Sequence, residues 1–451
     1  MTLRRAPVPA SGTSDRHPGQ QPETNKAIPE KLVKPWKLPR QQTYLFVNAN
    51  VVDTAKGVIV ENTSVKMANG VIENVGTDTA ATASPDAIVV DLKGKYLSPG
   101  LIDCHVHVSS VPGEPGLSGG FGMDATTSLL RQSFVCGRML SKGFTTVRDT
   151  GGATLALKEA IQDGVFPGPR LFIANQALSQ TGGHGDRRGA HDRSNPCCGG
   201  GTSPGLSSVV DGVPECIRAT REQLRTGADF IKIMVGGGVA SPTDGIEHTQ
   251  FTAEEIRAVC EVARGHGTWV TAHATATCWT GRRRGSWRER GVWLTPTLVT
   301  YDAMASDRYA GFLPPENRRK NGEVLERGLE SLRVAAAAGV GVCHGSDLLG
   351  PLQAEQSREF GIRRRALSDL QVLQGATVNA ARMLRREGVL GQVRAGFAAD
   401  LIVLNGNPLE DVSILDEPER SVLAVIKDGR VYTSRWSKLP EDVSEPAVLI
   451  E

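Results

Sequence analysis

From residue 43 the chain alternates apolar and polar positions in short runs: "TYLFVNANVVD", "TSVKMANGVIENVG" and "DAIVVDLKGKYLSPG". A period of two puts one face of a segment in a core and the other in water, which predicts strands. The turn signals Ala68-Asn69-Gly70 and Lys93-Gly94-Lys95 punctuate these runs and predict a set of β-hairpins. The same texture returns near the C-terminus in "GQVRAGFAADLIVLNGNP" and "LAVIKDGRVYTS", where Asp428-Gly429 is a further hairpin turn. Two β segments bracketing a long centre predict that the chain ends meet in one small β-sandwich.

The centre alternates buried-type strands with helical stretches, an α/β pattern of parallel strands joined by helical crossovers. Seven strands are expected, at 101–108, 144–148, 170–175, 229–234, 268–273, 292–298 and 340–345. The clearest helix is "FTAEEIRAVCEVARGHG". Thr252 and Glu255 form a capping box there, and Ile256, Val259, Cys260 and Ala263 share one face. Residues 1–42 are rich in Pro, Gln, Ser and charge and are expected to be a disordered tail.

Composition narrows the function classes. A net charge of +2 gives no electrostatic case for nucleic acid or a membrane surface. No apolar run approaches the roughly 18 residues of a membrane span, and the basic N-terminus lacks the apolar stretch of a secretory signal. Eight cysteines include no C-x-x-C, only the adjacent Cys197-Cys198, which fits a reducing compartment rather than a disulfide framework or zinc ribbon. A cytoplasmic protein is the expectation.

Candidate chemistry sits at the strand ends. His105 and His107 in "GLIDCHVHVSS" are two apart, so both imidazoles leave the same side while Val106 and Val108 face away. Such a pair can present two metal ligands, or be a polar strand face with satisfied rings. Lys232 interrupts an apolar strand beside Phe230 and Met234. It either snorkels to the strand end or is a desolvated amine that takes up carbon dioxide and bridges two cations as a carbamate. His273 ends the strand of "TWVTAHA", and Asp347 ends that of "GVGVCHGSDLLG"; by alternation His344 points away and is packing. Alone, each reads as structural, the aspartate as a helix cap. Four such residues at the C-terminal ends of different parallel strands point to a site.

The stretches "LSPGLIDCHVHV", "GFTTVRDTGG", "ALSQTGGHGD", "DFIKIMVGGGVAS", "QFTAEEIRAVCEVA", "VTAHA", "HGSD", "ATVNAARML" and "GQVRAGFAADLIVLNGNPLED" occur in this order across residues 44–432. As a set they resemble the amidohydrolase superfamily, in its imidazolonepropionase-like and Xaa-Pro-dipeptidase-like branch, which includes ochratoxin-degrading amidases. The resemblance implies an α/β fold: a (β/α)8 TIM-type barrel over 98–387. A β-sandwich from 43–97 and 388–435 would join it, leaving 436–451 as a C-terminal tail. It implies a binuclear site, usually zinc. His105 and His107 would hold one metal, carboxylated Lys232 would bridge, His273 would hold the second, and Asp347 would bind metal and shuttle the proton. It also matches His184 in "TGGHGD" to a residue near the substrate, as a carbonyl or carboxylate contact. The implied activity is hydrolysis of an amide or cyclic amide C–N bond by metal-activated hydroxide, on a small-molecule substrate. Which substrate is not readable, because the long 184–211 segment has no pattern. A homo-oligomer is compatible with the sequence.

One part of the family pattern has nowhere to go. A second histidine ligand belongs at the end of strand six, yet only 18 residues, 274–291, separate His273 from the next strand. A single βαβ crossover needs at least roughly 10–12 residues, so two crossovers and a strand do not fit. The stretch "SWRERGVWLTPTL" reads as the end of helix six running into strand seven, so the barrel is expected to be incomplete at strand six. Glu247-His248 lies in the wrong sector, and His266 is at a helix end towards the opposite face. Either "TCWTGRRRGSW" marks a misjoined exon boundary, or the chain is a shortened paralogue lacking one ligand. The alternatives to a binuclear hydrolase are a mononuclear or inactive variant using His105, His107 and Asp347, and a non-catalytic amidohydrolase-like scaffold.

Overall fold

The computed structural model of the chain describes residues 28–77, 85–193, 205–274 and 284–444. Residues 1–37 are a unit of their own, in which Glu30–Val33 makes one helical turn and Glu30 pairs with Lys37 at 2.8 Å. The expected tail thus contains a helical turn, while residues 1–27 lie outside the described residues.

In the second unit, residues 38–451, the chain opens with β1 (Tyr44–Asp53), β2 (Val58–Ala68) and β3 (Val71–Gly76), an antiparallel meander. Then come β4 (Ile88–Asp91) and β5 (Tyr96–Pro99), and here the hairpin expectation at Lys93-Gly94 fails. Both strands run parallel to β1, β4 from Tyr44 to Val47 and β5 at Asn50 and Val51. The left-handed pair Lys93 (φ 48°) and Gly94 (φ 73°) makes a jog along one edge of β1 instead of a reversal.

The centre supplies β6 (Leu101–Val106), β7 (Phe144–Asp149), β8 (Arg170–Ile173), β9 (Ala177–Ser179) and β10 (Ser207–Val209). It continues with β11 (Ile231–Met234), β12 (Val270–His273), β13 (Trp293–Leu294) and β14 (Gly341–Val342). Parallel ladders join β6 to β7, β7 to β8, β11 to β12 and β13 to β14. Single backbone bonds continue the wall, Cys104 N–H to His344 C=O at 2.9 Å and Asp229 N–H to Ile173 C=O at 2.8 Å. All seven expected strands are therefore present, and β9 and β10 form a short extra pair that the sequence did not announce. The helix Ala253–Gly265 has the expected capping box, with Val259 and Ala263 buried. Among the described residues no ladder joins β12 to β13. A cleft of about 690 Å³ lies there, between Trp269, Ala272 and Trp293, and residues 275–283 lie outside the described residues.

The chain ends meet as expected, through β15 (Leu401–Leu404), β16 (Val422–Lys427) and β17 (Arg430–Ser434). They join by the antiparallel pairing of β15 with β5, which makes one continuous sheet of eight strands and not two separate ones. Asp428 and Gly429 both have positive φ, the geometry that a two-residue hairpin between β16 and β17 demands. All of β15 is buried: Leu401 and Val403 pack in the sheet's own core, Ile402 and Leu404 in the core shared with the central strands. A strand covered on both faces reads as an unbroken apolar run, here "LIVL". The expected C-terminal tail is in part docked: Leu439 is buried in the sheet core, and Asp442 accepts hydrogen bonds from Tyr44 Oη (2.8 Å) and Val431 N–H (2.8 Å).

Leu401→Ala and Leu404→Ala empty opposite faces of β15, and each should cost about 2–5 kcal/mol. Urea unfolding checks this: both variants lower the midpoint of one shared transition. Two transitions, each moved by only one variant, would contradict the shared strand.

Candidate metal centre

The side-chain pattern of β6 does not run straight through to its histidines. Ile102 and Cys104 pack with Phe172, Phe230 and Cys343, while Asp103 meets Ser346 and Gln356. Between Asp103 and Val106 the strand gains a residue relative to β7. Such a bulge re-aims the side chains that follow it, and His105 turns to line the cleft with Lys232, His273 and Asp347. His105 and His107 lie together, ring centroids 5.4 Å apart, as their spacing required.

Asp347 comes to them from the neighbouring segment that follows β14. It takes a left-handed conformation (φ 52°), which Asp tolerates better than most residues. Its N–H donates to the His105 carbonyl at 2.8 Å. Its Oδ1 lies 3.3 Å from His105 Nε2 and 3.1 Å from His107 Nε2. The His107 Nδ1 faces the Gly151 carbonyl at 2.9 Å, so that nitrogen carries a proton and Nε2 is the atom turned to Asp347. Burial alone would raise the Asp347 carboxyl, but the two imidazoles hold it well below the usual range. Burial pushes His105 down to about 4 and so favours the neutral, ligating ring. His107 is lowered by burial but carried above its ordinary value by Asp347. The three ligand atoms lie within 4.8 Å of one another. Two imidazole nitrogens and a carboxylate oxygen converging in this way fit a divalent cation such as zinc.

Lys232 is 2% exposed, and desolvation lowers its amine to about 8. It lies beside the same cleft, in the strand paired with β12, so it does not snorkel. His273 ends β12, and its buried Nε2 has no hydrogen-bond partner among the described residues. A smaller cavity of about 80 Å³ adjoins them, with His107, His184, His273, Tyr301 and Asp347 in its wall. His184 is thus next to the predicted ligands, its ring stacked on His273 at 4.3 Å. His344 is buried between Phe144 and Phe360, as expected of packing. His248 accepts a hydrogen bond from Gly245 N–H and His266 lines a surface hollow with Arg218 and Arg221, so neither joins the centre.

Two residues that matter here went unread in the sequence. Asp103, fully buried, accepts hydrogen bonds from His105 N–H (3.0 Å), Ser346 N–H (3.2 Å), Ser346 Oγ (2.7 Å) and Gln356 Nε2 (3.0 Å). Asp149 accepts from Val108, Gly151 and Ala153 N–H and so fixes the turn whose carbonyl holds His107. The signal was present as a carboxylate inside each of the apolar runs "LIDCHV" and "FTTVRD".

The chain belongs to the Amidohydrolase family, which it matches over residues 96–286 and 283–432. It is therefore an enzyme of the class that hydrolyses carbon–nitrogen bonds, and its structural neighbours imply a TIM barrel with a β-rich domain. Among particular relatives, the ochratoxinase of Aspergillus niger is 31% identical over 367 residues, covering 74% of this chain and 75% of its own. A prolidase crystallised with N-methylphosphonate-L-proline is 38% identical with a TM-score of 0.82, covering 88% of this chain and 100% of that one. An Xaa-Pro dipeptidase with bound methionine is 27% identical with a TM-score of 0.77, covering 87% and 100%.

Asp103→Ala leaves every imidazole in place but removes the anchor of His105 and Ser346. Zinc affinity, measured by chelator competition, should fall about 10–100-fold, as for other outer-shell partners. Unchanged affinity would show that the ligands hold themselves.

Proposed function

We propose that this chain is a metal-dependent hydrolase that cleaves the C–N bond of an amide or cyclic amide, non-peptide or dipeptide-like. The observation that carries this reading is the convergence of His105 Nε2 and His107 Nε2 on one oxygen of Asp347. These three residues would hold one zinc ion, and Lys232 and His273 line the place of a second. A bound cation supplies water activated at neutral pH and polarises the carbonyl under attack. Lys232, easily made neutral, would join carbon dioxide as a carbamate, the amine nitrogen bonding the carbon and releasing its proton. Asp347, held ionised, takes a proton from the attacking water and returns it to the departing nitrogen. His184 contacts the substrate carbonyl or a carboxylate, and Leu206, Met234, Val239 and Met304 offer an apolar wall to the acyl side. The names of the relatives, ochratoxinase, prolidase and Xaa-Pro dipeptidase, support an amide substrate of dipeptide-like size.

That no ladder joins β12 to β13 among the described residues favours one refinement, a mononuclear site. Among the described residues, the family's strand-six histidine has no residue to receive it, and His273 Nε2 is left without a partner. We take 98–387 as the catalytic barrel, with the sheet from 43–97 and 388–435 closing it. The natural product would carry the lost strand if the short junction is a misjoined boundary. No helix is long and apolar enough to cross a membrane. The described cysteines Cys104, Cys136, Cys216, Cys260 and Cys343 are all free, which supports a cytoplasmic location.

Elemental analysis, together with hydrolysis of N-acyl amino acids and Xaa-Pro dipeptides, tests the proposal. Near-stoichiometric zinc with turnover is expected, and Asp347→Asn should lower kcat by about 10²–10⁴. A folded chain with no metal and no turnover would instead be a scaffold.

A further inference from the structure

The loop after β11 carries a buried carboxylate that no step above uses. The Asp244 side chain is fully enclosed. Its Oδ2 accepts the Gly238 N–H at 3.1 Å and the Gln250 side-chain amide at 3.0 Å, and its Oδ1 accepts the Ser241 hydroxyl. Lys320, from the helix Pro315–Ala337, stands 3.7 Å from Oδ1 and donates to the carbonyls of Ser241 (3.1 Å) and Asp244 (2.6 Å). Burial alone would raise this carboxyl, yet His184, Ser241 and Lys320 bring it down to about 2, so it is ionised.

The other end of this network is His184. Its Nδ1 lies 2.8 Å from Ser241 Oγ, and its backbone N–H donates to Gln250 Oε1 at 2.9 Å. From Asp244 Oδ2 the same Nδ1 is 3.7 Å away, too far for a direct hydrogen bond, so the hydroxyl is the link. Gly238 lies against the ring, and a Cβ there would meet it at 2.1 Å, so only glycine admits this placement.

Donor accounting then sets the tautomer. An ionised carboxylate only accepts, as does the Gly238 carbonyl 3.3 Å from Ser241 Oγ, so the single hydroxyl proton of Ser241 goes to these acceptors, the closer being Asp244. The hydroxyl oxygen can then only accept from His184, and Nδ1 must carry a proton. We propose that Asp244, acting through Ser241, is a positioning residue that holds His184 protonated at Nδ1, leaving Nε2 as the atom that meets the substrate. The substrate contact rests on the hydrolase reading above; the tautomer does not.

Two-bond ¹H–¹⁵N correlation spectra of the histidine rings in the full chain test this, with His184 assigned by its loss in His184→Gln. The unaltered protein should show His184 as the Nδ1–H form. In Ser241→Ala the link is cut, and in Asp244→Leu the hydroxyl is freed to donate to Nδ1; both should convert the ring to mainly Nε2–H. Ser241→Ala keeps the bonds of Asp244 to Gly238 and Gln250, so it serves even where Asp244→Leu does not fold. An Nε2–H ring in the unaltered protein, or an Nδ1–H ring that persists in Ser241→Ala, overturns the proposal. On N-acetyl amino acids, Ser241→Ala should lower kcat/KM about 10–100-fold at unchanged zinc content, and Ser241→Thr should restore it. Unchanged kcat/KM overturns the role at the substrate. A tautomer switch in a chain that hydrolyses nothing keeps the positioning and refutes the hydrolase reading.

Discussion

The carboxylate of Asp103 is the constraint on which the centre depends. It is buried and forms no ion pair among the described residues, a placement that would cost several kcal/mol if left without hydrogen bonds. Four hydrogen bonds offset that cost, from His105 N–H, Ser346 N–H, Ser346 Oγ and Gln356 Nε2. Two of these donors are backbone groups, one on β6 and one in the loop after β14, that the sequence separates by more than two hundred residues. One carboxylate therefore fixes the end of β6 against the loop after β14, and His105 and Asp347 inherit their separation from it. Asp149 repeats the device one strand along, through the turn that holds His107.

Most of the fold was legible because burial leaves a direct trace in the pattern of apolar positions. All seven central strands, the capping box at Thr252 and the meeting of the chain ends were readable in this way. What escaped depended on pairing partners. The Lys93-Gly94 turn has hairpin chemistry, yet β4 and β5 both lie along β1, and nothing local to the turn says so. The bulge in β6 is equally silent, since it exists only relative to β7. Residues 436–442 looked like tail because a single leucine and an aspartate anchor them.

For the site, the sequence showed the side chains that face the cavity and hid those behind them. The structure brings His105, His107, Lys232, His273, Asp347 and His184, all singled out in the sequence, to adjoining cavities. The supporting carboxylates Asp103, Asp149 and Asp244 were not singled out, because their partners are backbone N–H groups, serine hydroxyls and glutamine amides with no motif of their own. Tyr301, in the wall of both cavities, comes from a helix that gave no chemical signal.

Membership of the family and the chemistry of this particular site are separate questions, and among the described residues no ladder joins β12 to β13. His105, His107 and Asp347 converge as one donor set, whereas Lys232 and His273 line the neighbouring cleft without joining it. The most direct measurement is anomalous diffraction at the zinc edge from crystals grown with zinc. The account predicts a peak about 2.0–2.2 Å from His105 Nε2, His107 Nε2 and an Asp347 oxygen. Zinc bound elsewhere, with the two imidazoles still hydrogen-bonded to Asp347, would contradict it.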